Sequence, residues 1–321
     1  MNKLVASALT CAMVALAWAP ASAAQDAPAW AYPVNPPDFK LPADDGSIRR
    51  VPDSTAGYTL SQVRDPFLAP DWRPQDHPTM PPVVAAGRKP DVLACGYCHR
   101  AEGTGGPENA NIAGLPADYI LQQLADYKSG ARSTAVPGRA PQAFMISTAK
   151  AITDDEAKAA AEYFAALKPR RTIKVVESET APKTFVAGWF LAAATPAARE
   201  PLGRRIVEVP DDLERFESRD PRVTFTAYVP PGSVATGKAL ATGQGTPRLP
   251  HCSTCHGADL RGKGSYPPIA GRSPTSTFRQ LYELKSGARA GPDAKFMNAS
   301  VAKLSQDDMI ALAAYLATLE P

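Results

Sequence analysis

Net charge is almost missing from this sequence. Its 35 Lys and Arg against 32 Asp and Glu leave +3 at pH 7, too small an excess for a chain that grips nucleic acid through its phosphates. Long apolar runs are missing too. The longest, Leu4 to Trp18, falls short of the ~20 residues that cross a bilayer, so a multi-span membrane protein is excluded. The polar bias of disordered chains is also absent: 44% of residues are apolar and 21% charged, which suits a chain that buries a core. Cysteine is scarce, five in 321 residues, and its scarcity makes its placement informative. Proline is plentiful. The 33 prolines predict long loop or extended stretches and helices that are few and short. The length is about twice that of one compact domain, which points to two modules or one large fold.

The first residues read as an address. Met1 to Lys3 give a positive start, Leu4 to Trp18 an apolar run and Ala21-Ser22-Ala23 a small-residue cleavage site, the pattern of a secretory signal peptide over residues 1–24. The expected mature protein begins at Ala24 or Gln25 and resides in the periplasm. Cys11 leaves with the peptide.

Each of the other four cysteines falls in a Cys-x-x-Cys-His pentapeptide, Cys95-Gly-Tyr-Cys98-His99 and Cys252-Ser-Thr-Cys255-His256. This is the attachment pattern of c-type haem. Positions i and i+3 share one face of a helical turn, so both sulfurs can reach the two vinyl groups on one porphyrin edge, and the following histidine swings under the ring to the iron. Structural disulfides would not require a histidine after each pair. Zinc would need four ligands at other spacings.

The two halves repeat. Ile112-Ala-Gly114 and Lys128-Ser-Gly-Ala-Arg132 recur as Ile269-Ala-Gly271 and Lys285-Ser-Gly-Ala-Arg289, and His99 recurs as His256, all 157 residues on. Phe144-Met145 and Tyr163 recur as Phe296-Met297 and Tyr315, now 152 residues on. Each methionine thus holds the same place in its copy. Thioether sulfur suits haem iron and His/Met ligation raises the reduction potential, so Met145 and Met297 are the expected second axial ligands beside His99 and His256.

With these motifs the sequence resembles the class I cytochromes c, and among them the dihaem proteins of the cytochrome c-four type. The resemblance rests on both Cys-x-x-Cys-His sites, on Pro267-Pro-Ile-Ala-Gly271 and on the Phe-Met followed by a Tyr-bearing last helix in each copy. It implies a mainly α fold with two class I-like haem domains, over residues 81–169 and 232–321, each holding one covalently bound haem c, and one-electron transfer between periplasmic partners. It also implies that the carbonyl at Pro267 receives the N–H of the iron-bound imidazole. The first copy departs from the pattern, with Ala110 at the Pro267 position and Arg100 at the Gly257 position.

The remaining pattern agrees with helices. Leu115-Pro116 opens one that carries Ile120, Leu121, Leu124 and Tyr127 on a stripe and ends at Gly130; Phe278, Leu281, Leu284 and Gly287 repeat it. Thr153 to Glu156 form a capping box and Ser305 to Asp308 a weaker cap signal, each launching a last helix. The glycines after each haem histidine, Gly103, Gly105 and Gly106, then Gly257, Gly262 and Gly264, let the backbone pass close to a haem edge. Residues 25–80 read as a Pro-rich arm whose aromatics, among them Trp30, Tyr32 and Trp72, lie on something. Residues 170–231 read as a connector with short strands at Ile173 and Val175, at Val186 to Leu191 and from Val223 to Val229, serving as a brace or as a docking surface. His77 and Met80 are competitors for Met145, His251 is a weak one for Met297, and Met309 reads as core.

Function follows from the iron. Two filled axial positions suit an electron carrier, whereas catalysis needs an open one. The expected role is a non-enzymatic electron carrier of a respiratory chain. It would run from a dehydrogenase or quinol-oxidising complex to a terminal oxidase or reductase, with peripheral membrane association admitted. Docking would use patches such as Lys128, Arg132, Arg139 and Lys150, or these residues form a solvated face. A dihaem peroxidase would need unlike halves. A thiosulfate-oxidising dihaem enzyme would need a cysteine ligand that no mature cysteine is left to supply. The third alternative is an electron-entry subunit of a dehydrogenase complex.

Overall fold

The computed structural model describes residues 27–195, 198–243 and 251–321; the expected signal peptide lies outside them. The chain opens with α1 (Leu60–Arg64), α2 (Pro82–Ala85), α3 (Cys95–His99), α4 (Ala117–Ser129), α5 (Ala140–Ala151) and α6 (Asp154–Ala166). The connector contains β1 (Ile173–Glu177), β2 (Thr180–Pro182), β3 (Thr184–Ala187), β4 (Phe190–Ala193), β5 (Arg199–Pro201) and β6 (Val207–Pro210), then α7 (Leu213–Glu217) and β7 (Phe225–Val229). The last part contains α8 (Ser233–Thr242), α9 (Cys252–His256), α10 (Pro274–Ser286), α11 (Lys295–Val301) and α12 (Gln306–Thr318). The fold is mainly helical. The helices are short as the prolines require, but they are not few. The reason is where the prolines sit: Pro82, Pro141 and Pro274 occupy first turns and Pro116 an N-cap, positions where the missing N–H costs nothing and the fixed φ favours helix.

Each copy builds its core between its middle and last helices. In the first, Ile120 of α4 meets Ala160, Ala161 and Phe164 of α6. In the second, Phe278, Leu281 and Leu284 of α10 meet Met309, Ile310, Leu312 and Leu316 of α12, so Met309 is core. Gly130 and Gly287 end α4 and α10 in the left-handed conformation. Both last helices begin with a complete capping box, the second through Asp308 in the place of the usual Glu.

The copies differ at their first helix. α8 lies along α12 at close range, and Gly237 is what permits it: a Cβ there would meet the Ala311 carbonyl oxygen at 1.9 Å. The first copy has only the single turn α2. Helix propensity alone would make Gly237→Ala stabilising by about 1 kcal/mol. The contact with rigid backbone reverses the sign, and the variant is expected to lose about 1–3 kcal/mol, measurable as a lowered denaturation midpoint.

The three expected connector segments carry strands, β1, β7 and the stretch around Val186 to Leu191, which is split into β3 and β4 by a turn; β2, β5 and β6 were not expected from the pattern. In β7, Phe225, Ala227 and Val229 are buried, and the strand runs parallel to β1, pairing Ile173 with Phe225, and antiparallel to β6. Strands β3 and β4 form a hairpin closed by Gly188 and Trp189, both at positive φ, as a two-residue turn of matching twist requires.

These segments brace the copies. Glu208 of β6 accepts from the Ser273 hydroxyl at 2.7 Å and the Thr275 N–H at 3.0 Å, at the start of α10. The arm indeed lies on other elements. Trp30 packs on Phe278 with ring centroids 4.5 Å apart, and the buried Trp72 donates its indole N–H to the Ser218 carbonyl at 2.9 Å.

The repeated Lys-Ser-Gly-Ala-Arg segments meet each other. Arg132 and Arg289 pair as an antiparallel bridge, with the Ser133 N–H on the Ala288 carbonyl at 2.7 Å and the Ala290 N–H on the Ala131 carbonyl at 2.8 Å. Each guanidinium donates to both Gln123 and Gln280, at 2.8–3.0 Å. The arrangement is a local two-fold. It corrects the reading of Arg132 and Arg139 as part of a surface patch: Arg132 lies in this seam, and Arg139 is 1% exposed, tied to Gln142 and to the Trp189 carbonyl. Lys128 and Lys150 are exposed.

Candidate haem sites

Each Cys-x-x-Cys-His segment is a single helical turn, which puts Cys95 beside Cys98 and Cys252 beside Cys255 on one face. None of the four is disulfide-bonded. Burial pushes the Cys95 thiol up to about 12 and raises those of Cys98 and Cys252, so these are not thiolates poised for zinc or nucleophilic work.

The histidines are oriented alike. His99 Nδ1 lies 2.8 Å from the Ala110 carbonyl oxygen, and His256 Nδ1 lies 2.7 Å from that of Pro267. A carbonyl only accepts, so Nδ1 must carry the proton, and Nε2 keeps its lone pair for a metal. Burial lowers both imidazole pKa values, which keeps the rings neutral and able to ligate. The Pro267 carbonyl thus does what the resemblance implied. Ala110 does the same in the first copy, because the acceptor is backbone and the residue type does not matter. The loops that follow close alike, with the Gly105 N–H on the His99 carbonyl and the Gly262 N–H on the His256 carbonyl.

Arg100 departs from its counterpart only in side chain. Its backbone, φ 68° and ψ 157°, matches Gly257 at 86° and 155°. That conformation costs a non-glycine residue about 1–3 kcal/mol. Anchoring offsets it: the buried guanidinium sits 4.9 Å from the Phe216 ring centroid and 3.9 Å from Glu108.

The candidate sulfur ligands sit on corresponding helices, Met145 within α5 and Met297 near the start of α11. Met297 packs against the second core. Beside it Phe296 is 78% exposed, while Phe144 is 42% exposed and has Trp189 at 6.0 Å. Of the competitors, His77 is engaged at both ring nitrogens, Nδ1 with the Tyr163 hydroxyl at 3.0 Å and Nε2 with Asp71 at 3.2 Å. Met80 packs against the first core, and the His251 ring lies against Gly243. Tyr163 donates to the Ala101 carbonyl at 2.7 Å, which ties the last helix to the haem-histidine loop.

Sequence reasoning left two guanidinium groups unremarked. Arg272 donates to Asn111 and to the Ala113 carbonyl across the copies. Arg219 donates to the carbonyls of Val63 and Tyr97. Both act over more than a hundred residues of sequence, where no local pattern points to them.

Two thioether-forming cysteines, a neutral histidine with a free Nε2 and a methionine per copy form a donor set that fits haem c, twice. The family model described as cytochrome c matches residues 84–168 and 234–320. Cytochrome c4 of Stutzerimonas stutzeri is 30% identical over 245 residues, covering 70% of this chain and 84% of that protein. The thiosulfate dehydrogenase electron acceptor of Stutzerimonas stutzeri strain A1501 is 26% identical over 236 residues, 73% of this chain and 82% of that one. The solved structure of reduced recombinant cytochrome c4 from Pseudomonas stutzeri covers 70% of this chain and 93% of its own at 21% identity and a TM-score of 0.46. This chain belongs to the cytochrome c family, as a member of the cytochrome c4 type with two covalently bound haem c groups.

Proposed function

We propose that this protein is a periplasmic dihaem carrier of single electrons, with His99 and Met145 as axial ligands of the first iron and His256 and Met297 of the second. The observation that carries this reading is the matched pair of Nδ1-to-carbonyl hydrogen bonds, which fix both imidazoles in the ligating tautomer at equivalent points of the repeat. Each haem supplies a reversible one-electron iron couple. The chain's part is to hold the ligands still, so that iron changes valence without rearrangement. His99 and His256 are held by Ala110 and Pro267, and the two methionines ride on packed helices.

The alike halves favour a carrier over a peroxidase, which needs one open iron. Export is supported by the signal-peptide pattern of residues 1–24. As electron donor we take a dehydrogenase that oxidises sulfur compounds, because the relative named thiosulfate dehydrogenase electron acceptor covers most of this chain.

The test is direct. Oxidised holoprotein mixed with a thiosulfate dehydrogenase and thiosulfate is expected to take up two electrons, one per haem, at a rate that saturates with the protein. Steady consumption of hydrogen peroxide by the isolated protein, or a high-spin haem in the untreated spectrum, would overturn the carrier reading.

A further inference from the structure

The two attachment helices have different electrostatic surroundings. Arg219, delivered by the connector just after α7, lies flat on Tyr97 with its guanidinium carbon 3.6 Å from the ring centroid. It donates to the Tyr97 carbonyl at 2.8 Å and the Val63 carbonyl at 2.7 Å. Tyr97 immediately precedes Cys98, so the charge is fixed on the wall of the first haem site. Among the described residues no carboxylate lies within ion-pair distance of Arg219. Carbonyl oxygens satisfy its hydrogen bonds and leave its charge uncancelled. Arg100, two residues after Cys98, adds a second cation, shared with Glu108 at 3.9 Å.

The second copy has no equivalent. Thr254 stands where Tyr97 does and Gly257 where Arg100 does, and among the described residues no guanidinium bonds to or stacks on α9. A fixed cation beside haem disfavours the oxidised iron, which is the more positive state, relative to the reduced one. The effect is largest where solvent does not screen it.

We propose that Arg219, assisted by Arg100, is a positioning charge that raises the reduction potential of the first haem relative to the second. It thereby biases a single electron in the protein toward the first haem: the second iron gives up one electron and is oxidised, the first gains it and is reduced, and no bond forms or breaks. The inference deepens the carrier reading and rests on it. It assigns the inserted connector a redox task beyond bracing.

The experiment is a spectroelectrochemical titration of the holoprotein and four variants. Met145→His marks the wave of the first haem by lowering it. Arg219→Gln, which keeps donors and loses charge, is expected to lower that same wave and leave the other in place. Arg219→Lys, which keeps the charge, is expected to hold it nearer the wild-type position. Glu108→Gln, which frees Arg100 of its counter-charge, is expected to raise it, and this opposite sign tests the proposal even if Arg219→Gln does not accumulate. Unmoved waves in Arg219→Gln, equal movement of both, or a fall in Glu108→Gln overturns the proposal. If Met145→His moves neither wave, the ligand assignment falls instead, while movement of one wave alone by Arg219→Gln still supports the charge effect.

Discussion

Met297→Ala is expected to convert the second haem from low-spin to high-spin and to lower its potential by a sizeable part of the ~0.8 V range that axial ligands command. Loss of the thioether leaves one face of the iron to water or to an added ligand such as carbon monoxide. Entry should be easy, because the neighbouring Phe296 is largely exposed and nothing among the described residues folds over it. Met145→Ala is expected to do the same to the first haem, more slowly for added ligands, since Trp189 stands at the edge of Phe144. Each variant should leave the other haem's absorption and potential unchanged. A Met145→Ala protein that stays low-spin would reassign the first ligand. Met80 would be next in line, because the ring nitrogens of His77 are already held by Tyr163 and Asp71.

The largest effect on stability is expected at Asp220. Its side chain is fully buried, and so is that of Arg73, whose Nη1 donates to Oδ1 at 2.7 Å. Arg215 donates to Oδ2 at 2.6 and 2.8 Å, and the Arg222 N–H donates to Oδ1 at 3.0 Å. Asp220→Ala strands the Arg73 charge with only the Pro52 carbonyl and is expected to cost about 3–5 kcal/mol. Burial pushes the Asp220 pKa up, but the hydrogen bonds from Arg73, the Arg222 N–H and Arg215 outweigh it and hold the carboxyl below its ordinary value. The stabilisation is therefore complete above the unfolded pKa of about 3.9 and is lost as pH falls through the lower folded value. The gap between wild type and Asp220→Ala in urea denaturation should be wide at pH 7 and narrow below about pH 4. Because Trp72 leans on Ser218 beside this cluster, its fluorescence should report release of the arm in the same acid range. A gap that does not change with pH would refute the assignment.

What could be read from sequence was what is written locally. The attachment turns need residues i, i+3 and i+4, the caps need three more, and the strand alternation of β7 needs five. All of these appear where expected. The repeat pointed to Met145 and Met297 as counterparts, and they do lie on the corresponding helices α5 and α11. The hydrogen bond to Ala110 was half readable, since the position was marked by alignment with Pro267 while the chemistry belongs to the backbone. The two arginine misreadings share one cause. Arg132 and Arg139 look like surface charge because their partners Gln280 and Trp189 are far away in sequence. Arg219 gives no local sign at all. Helix number was underestimated because a proline count ignores whether each proline starts a helix or interrupts one.

The seam where the two Lys-Ser-Gly-Ala-Arg segments cross has an evolutionary and practical corollary. Its contacts are self-complementary, the form an interface takes when two identical subunits associate about a dyad. Tandem fusion of a homodimer's protomers would leave such a mark. Because each segment's bridging N–H and carbonyl groups are taken up by its twin, the seam closes on two copies and leaves no such bridge for a third.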